Sequence, residues 1–215
     1  MARIRIRQHV NPLSIKYKKN IFLPSWDEIY INTNNPLHLD IGCARGKFLL
    51  KMALLYPDIN FLGIEIRESL VIEANENCNR LKLSNLYFLF CNINTHIEPL
   101  LQSFQPGILN CVSIQFPDPW FKRSHQKRRV AQADLVCTVS NNLSKNGYIF
   151  LQSDIQSITR EMEGEFMKNS ALYEHYERTG LTANYFTILT EREAATLNKS
   201  KSVYRTLLQP AHNYN

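Results

Sequence analysis

Three short stretches carry residue types that could do chemistry. The first is Leu39-Asp40-Ile41-Gly42-Cys43-Ala44-Arg45-Gly46, where an apolar run meets a helical pattern. Glycines there let a backbone approach a ligand closely, and the free N–H groups of the following helix face it. Gly63-Ile64-Glu65 ends the next apolar run, 23 residues beyond Gly42. A carboxylate at that position can take both hydroxyls of a ribose. The G-x-G-x-x-G pattern that holds a dinucleotide's pyrophosphate is absent, and Asp40 immediately before the glycines would repel phosphate. An acid there suits a positive group, such as the sulfonium and ammonium of S-adenosylmethionine, and favours that cofactor over NAD.

The second stretch is Phe116-Pro117-Asp118-Pro119-Trp120-Phe121-Lys122. Two prolines impose a rigid extended turn, with an acid between them and an aromatic after, a combination that can hydrogen-bond and pack against a base. The third continues it: Lys122, Arg123, Ser124, His125, Gln126, Lys127, Arg128 and Arg129 offer five cations and no acid, for which phosphates are the natural partner. No metal is indicated, since the six histidines are dispersed and no His/Cys/Asp set has ligand spacing.

The elements that must position these groups alternate between strand and helix. Residues 37–41, 60–65, 86–91, 109–116 and 148–151 read as strands. Helical spacing follows the first glycine turn and covers 67–81 and 131–143, with an Asn146-Gly147 turn leading into the fifth strand. Short, nearly continuous apolar runs fit strands covered on both faces, and the alternation predicts a mostly parallel sheet with helices on both sides. Two further strands, 172–177 and 202–208, flank a polar insertion without a well-formed helix, predicting an antiparallel edge. Residues 1–30 are expected to form a flexible basic arm and 31–215 a single α/β domain.

Charge is distributed unevenly. Residues 1–19 hold six Lys/Arg and no acid; with the five cations of 122–129 they carry 11 of the 25 basic residues, which leaves the remainder at a net charge of −5. Basicity set outside an acidic body is the footprint of a polyanion-binding protein. Composition, at 44% hydrophobic and 20% charged, excludes a mainly disordered chain. No apolar run nears the ~18 residues of a membrane span, so no membrane association is expected. Five scattered cysteines without C-x-x-C spacing read as buried thiols of a reducing compartment, here the cytoplasm, or an organelle stroma if the chain is organelle-encoded.

Together these motifs resemble the bacterial-type tRNA (guanine-N7-)-methyltransferases, the TrmB family: P-D-P-W-x-K followed by K-R-R, L-D-I-G, G-I-E, Ser153-Asp154 and Thr190-x-x-Glu193, in order from about residue 37 to 208. The resemblance implies a Rossmann-like methyltransferase that moves a methyl group from S-adenosylmethionine to N7 of the guanine at tRNA position 46, in the variable loop. It implies that Asp40, Gly42, Glu65, Asn92 and Asp118 bind the cofactor, and Asp118 is also taken as the catalytic residue, holding the guanine through its N–H groups. Lys122, Asp154, Thr190 and Glu193 would meet the substrate, and Ser124, His125, Lys127, Arg128 and Arg129 the RNA. The family often has Asp where this chain has Asn92. tRNA is the implied partner, with no obligate protein partner and no metal. Two other classes fit the residues less closely: an amino-nitrogen methyltransferase of the D/N-P-P-Y/F/W type, and a non-catalytic RNA-binding protein of the same fold.

Overall fold

The structure, a computed structural model, describes residues 10–169, 176–181 and 183–210. Five strands run parallel: β1 (Leu37–Ile41), β2 (Asn60–Glu65), β3 (Leu86–Phe90), β4 (Leu109–Gln115) and β5 (Leu143–Ser153). β6 (Tyr176–Leu181) and β7 (Tyr204–Pro210) extend the sheet, β7 lying antiparallel to both β5 and β6. The order is β3-β2-β1-β4-β5-β7-β6. The chain therefore leaves β1 in one direction and returns beside it as β4, which makes the carboxyl ends of β1 and β4 the switch point where open α/β sheets bind ligands.

Period-two alternation decides which face each side chain serves. Leu37, Leu39 and Ile41 of β1 join the core beneath α4 (Ile93–Gln102), α5 (Ala133–Asn142) and α6 (Gln156–Asn169). On the other face, α2 (Lys47–Leu55) and α3 (Glu68–Leu81) pack Phe48, Leu49, Val71 and Ala74 against Phe61, Phe88 and Phe150. His38, also on that face, stacks on Phe186 with ring centroids 5.3 Å apart. Among the described residues no helix is long and apolar enough to cross a membrane.

Several elements differ from the sequence-based expectation. α4 has no counterpart in that expectation, because Pro99 lies inside it; the Asn92 side chain caps its first turn by accepting from Asn94 N–H. β5 begins at Leu143, so Asn146-Gly147 lies within the strand, where the register against β4 shifts, rather than in a turn. A helix, α7 (Glu191–Leu197), stands between β6 and β7 where the pattern predicts none. Residues 172–175 of the expected strand 172–177 lie outside the described residues, as do Arg3, Arg5 and Arg7 of the arm. Within the remaining arm, Tyr17, Trp26 and Tyr30 are buried, and the short α1 (Trp26–Ile29) stacks Trp26 on Phe104 at 4.3 Å.

The glycine turn is built around Phe88. Gly46, the N-cap of α2, has φ +68°, and a Cβ there would lie 2.3 Å from Cζ of fully buried Phe88. Left-handed backbone costs a non-glycine residue ~1–2 kcal/mol and overpacking ~1–3 kcal/mol. Gly46→Ala should therefore lower stability by about 2–5 kcal/mol in urea denaturation. A loss under about 0.5 kcal/mol would show that Phe88 can yield.

Candidate active site

Two contiguous cavities open at the carboxyl ends of β1 and β4, of about 160 and 810 Å³. They share a wall made of Gly42, Arg67, Gln115, Phe116, Pro117 and Asp118. Glu65 and Asn92 line the smaller cavity; Asp40, Asp154 and Thr190 line the larger. The turn that supplies Asp118 is held under strain. Phe116 and Trp120, at its two ends, both have positive φ (50° and 41°), a conformation that costs a bulky residue of order 1–3 kcal/mol. Its anchor is the Phe116 N–H, which donates to the Gln152 carbonyl at 2.8 Å.

Glu65 is almost fully buried and its carboxylate is engaged on both oxygens. Oε1 accepts from the backbone N–H and Nε of Arg67 (3.0 and 2.9 Å); Oε2 accepts from Ala44 N–H (3.1 Å) and Arg67 Nη2 (2.7 Å). These hydrogen bonds raise the Arg67 pKa, and against the opposing effect of burial the charges of Glu65 and then Asp118 add to the rise. Arg67 is thus paired with Glu65 and shares the lining of both cavities with Asp118. Asn92 is committed elsewhere: its Nδ2 donates to the Pro12 carbonyl (2.9 Å) and its Oδ1 accepts from Asn94 N–H (3.3 Å).

A buried polar chain runs beneath the larger cavity. Asp40 Oδ1 accepts from Ser113 Oγ (2.6 Å) and Gln115 Nε2 (3.2 Å). Ser113 has spent its one hydrogen on Asp40, so His38 Nε2, 2.8 Å from Oγ, must be protonated and donate. Burial lowers the His38 pKa to about 3, keeping the ring neutral. Gln115 and Gln152, register partners on β4 and β5, meet through Gln152 Nε2 and Gln115 Oε1 at 2.7 Å. The same Nε2 lies 3.3 Å from Glu193 Oε2, which fixes the amide's orientation: a flipped amide would set its oxygen against a carboxylate. Glu193 is fully buried and accepts from Asn184 Nδ2 and Arg205 Nη2, both at 2.6 Å.

The basic stretch after the turn forms a short 3₁₀ helix, Arg123–Arg128. Arg128 lies 5.0 Å over the Trp120 ring and lines the smaller cavity. Arg129 is an anchor, pairing with Glu161 (2.6 Å) and donating to the Trp120 carbonyl (3.1 Å). Lys122, Ser124 and Lys127 are exposed, and His125 packs edge-on against Trp120 at 5.4 Å.

The crevice thus gathers Asp40, Gly42, Glu65, Asn92, Asp118, Asp154 and Thr190, all expected from sequence, whereas Lys122 and Glu193 line neither cavity. Asp154 accepts from Arg192 at 2.6 Å across the larger cavity. Sequence reasoning missed Arg67, Gln115, Gln152 and Arg205. The available signal was a glutamine at the end of each of two apolar strands, an unlikely place for a polar side chain without a buried partner.

Burial, reinforced by the charge of Glu65 and opposed by the Ser113 and Gln115 hydrogen bonds, raises the Asp40 pKa to about 6. Between about pH 4 and 6 the native state therefore holds a proton that the unfolded chain has lost. Stability from this group is thus fully present below about pH 4 and is lost progressively as pH rises to the native value of about 6. Asp40→Asn keeps both hydrogen bonds and removes the desolvated charge. Its stability relative to the parent should rise between pH 5 and pH 7.5, reaching a gain on the order of 2 kcal/mol. Urea denaturation at the two pH values measures this; equal differences at both would mean that Asp40 titrates normally.

Residues 34–206 match a family model described as "Putative methyltransferase". The chain is 53% identical over 209 residues to the tRNA (guanine-N(7)-)-methyltransferase of Microcystis aeruginosa, covering 97% of this chain and 99% of that protein. It is 51% identical, with the same coverage, to the enzyme of that name from Synechocystis. Among solved structures it is similar to the aminoglycoside resistance methyltransferase NpmB1, at TM-score 0.57 and 15% identity over 90% of this chain and 97% of that one, a likeness of fold. With half of its residues shared across nearly the full length of such relatives, and with a P-D-P-W turn forming the wall of its crevice, the chain belongs to the tRNA (guanine-N(7)-)-methyltransferase family.

Proposed function

We propose that this protein methylates N7 of a guanine in the tRNA variable loop, with S-adenosylmethionine as methyl donor. The observation that carries the reading is the strained turn bearing Asp118, a wall common to both cavities. A donor with its adenosine in the smaller cavity and its methionine end reaching Asp40 in the larger would meet there a base that enters the larger cavity.

The donor set fits this cofactor. Asp40, whose hydrogen-bond partners Ser113 and Gln115 are both neutral, offers the larger cavity a buried carboxylate suited to a cation, and a Cβ on Gly42 would meet nothing within 4 Å. When bound, S-adenosylmethionine supplies a methyl group made electrophilic by its sulfonium. Glu65 takes the ribose hydroxyls in place of the Arg67 guanidinium, while the backbone N–H groups of Ala44 and Arg67 keep its carboxylate oriented. Asn92 contributes to the wall of the adenosine cavity rather than through its amide, which is already paired. Gly42 leaves room for the donor, and Asp40 offers a carboxylate to its ammonium.

N7 of guanine has a free lone pair and no hydrogen. Transfer to N7 would form an N–CH₃ bond as the donor's S–CH₃ bond broke, leaving a thioether and passing the positive charge to the base. No proton has to leave, so the protein's task is alignment, which can supply up to ~7–11 kcal/mol of a barrier. Asp118 holds the N–H edge of the guanine and offsets the developing charge. Asp154 and Thr190 line the base's cavity. Glu193 acts at one remove, by fixing α7 from below. Lys122, Ser124, His125, Lys127 and Arg128 face the RNA, and Arg129 secures their segment. The compartment we assign is the cytoplasm, or the stroma for an organelle-encoded chain.

Incubation with labelled S-adenosylmethionine and bulk tRNA, followed by digestion to nucleosides, should place the label in 7-methylguanosine. Label in an amino-methylated nucleoside, or none, would overturn the reading. Asp118→Asn should lower kcat by about 10²-fold with little change in tRNA affinity, because the charge is needed only as the base becomes cationic. A loss cured by saturating cofactor would move Asp118's role to the donor's ammonium.

A further inference from the structure

The two basic stretches stand a hundred residues apart in sequence, yet they meet in the structure. Val10 and Pro12 of the first segment line the smaller cavity together with Trp120 and Arg128 of the second. One turn of α4 fastens both. Asn92 Nδ2 donates to the Pro12 carbonyl at 2.9 Å, Asn94 Nδ2 donates to the Arg129 carbonyl at 3.4 Å, and the His96 ring lies between two carbonyl acceptors, with Nε2 2.9 Å from that of Lys19 and Nδ1 3.0 Å from that of Asn92. His96 and Asn92 are buried, so these are built contacts rather than surface coincidences.

From this clasp residues 10–22 run outward along the β3 edge of the sheet, over a groove of about 450 Å³ lined by Lys16, Lys19, Phe22, Glu68, Asn75 and His96. Lys16, Lys18 and Lys19 are exposed, and Lys16 Nζ sits 4.5 Å over the Tyr17 ring. The segment also exposes apolar side chains that a solvated tail has no reason to carry: Ile15 is 82% and Phe22 89% exposed. Phe121, on the other basic segment, is 70% exposed. No acid occurs in residues 1–26 or 119–133. Cations interleaved with open aromatic faces bind nucleic acid through phosphate contacts and base stacking.

We propose that residues 10–22 and 122–129 form one continuous RNA-binding band across the mouth of the crevice, with Asn92, Asn94 and His96 as the clasp that joins its halves. Lys16, Lys18 and Lys19 meet phosphates of the same tRNA whose guanine enters the crevice, and Phe22 offers its ring to an unpaired base. The inference rests on the functional reading above and adds to it a second footprint, outside the crevice, held in place before RNA arrives. The clasp also ties the band to the cofactor cavity, since Asn92 belongs to both.

Lysine acetylation of the full-length protein with and without tRNA tests the band directly. Transfer RNA should protect Lys16, Lys18 and Lys19 together with Lys122 and Lys127. Lys82 and Lys145, at the opposite end of the sheet, should stay reactive. Substituting Lys16, Lys18 and Lys19 together with Ala should weaken tRNA binding about tenfold or more and lower the log–log salt slope by roughly 0.7–0.9 for each phosphate left unneutralised. Affinity for S-adenosylhomocysteine and kcat at saturating tRNA should not change, which also certifies the fold. Protection confined to Lys122 and Lys127, with an unaltered salt slope in the triple variant, would overturn the band while leaving the enzyme's activity intact. Binding to phosphatidylserine vesicles without protection by tRNA would overturn it in favour of a membrane surface. A parent protein that neither binds nor methylates tRNA would instead overturn the functional reading, and the band with it.

Discussion

Carboxylates buried at the carboxyl edge of a parallel sheet are the constraint around which this molecule is arranged. Asp40, Glu65 and Glu193 are each less than 5% exposed, and a charge withdrawn from water must be paired or hydrogen-bonded to be tolerated. Each finds a different solution. Glu193 has Arg205 and two amides, Glu65 has Arg67 and two backbone N–H groups, and Asp40 has only a serine and a glutamine. The least compensated of the three is the one whose pKa rises to about 6, and it faces the larger cavity. Stability is held back at that position, where a cationic ligand would supply the missing partner.

Gln115 and Gln152 turn these separate solutions into one structure. Their amides carry hydrogen bonds from Asp40 on β1, across β4 and β5, to Glu193 on α7, joining elements that are distant in sequence. The directions are fixed because a carboxylate at each end only accepts. Such fully directed networks specify geometry more than they add stability. Here they hold the floor of the crevice while its wall, the turn from Phe116 to Trp120, carries backbone strain at both ends.

The basic elements follow a different logic. Their charges stay in water, where individual pairs contribute little, but their backbones are tied down through carbonyls at Pro12, Lys19 and Arg129. Fixing the backbone while leaving the side chains free presents cations to a polyanion at low entropic cost: the segment is ordered in folding rather than in binding.

Local pattern was enough to read much of this from the chain itself. Strand-helix alternation, the Asp40–Gly46 turn, Glu65 at the end of β2, the Pro117–Pro119 turn and the clustered charge all follow from residues close in sequence, whose period and spacing are set by backbone geometry. Local pattern failed where one residue contradicted its neighbourhood: Pro99 disguised α4, and Asn146-Gly147 imitated a turn inside β5. It also could not say which partner a polar side chain takes. Glu193 belongs to the core and not to the crevice wall, the amide of Asn92 is spent on Pro12, Arg67 pairs with Glu65, and two basic segments a hundred residues apart share one clasp. Those choices depend on which strands become neighbours in the sheet, and a hydrogen bond is decided by ångström-scale proximity that only the closed fold creates.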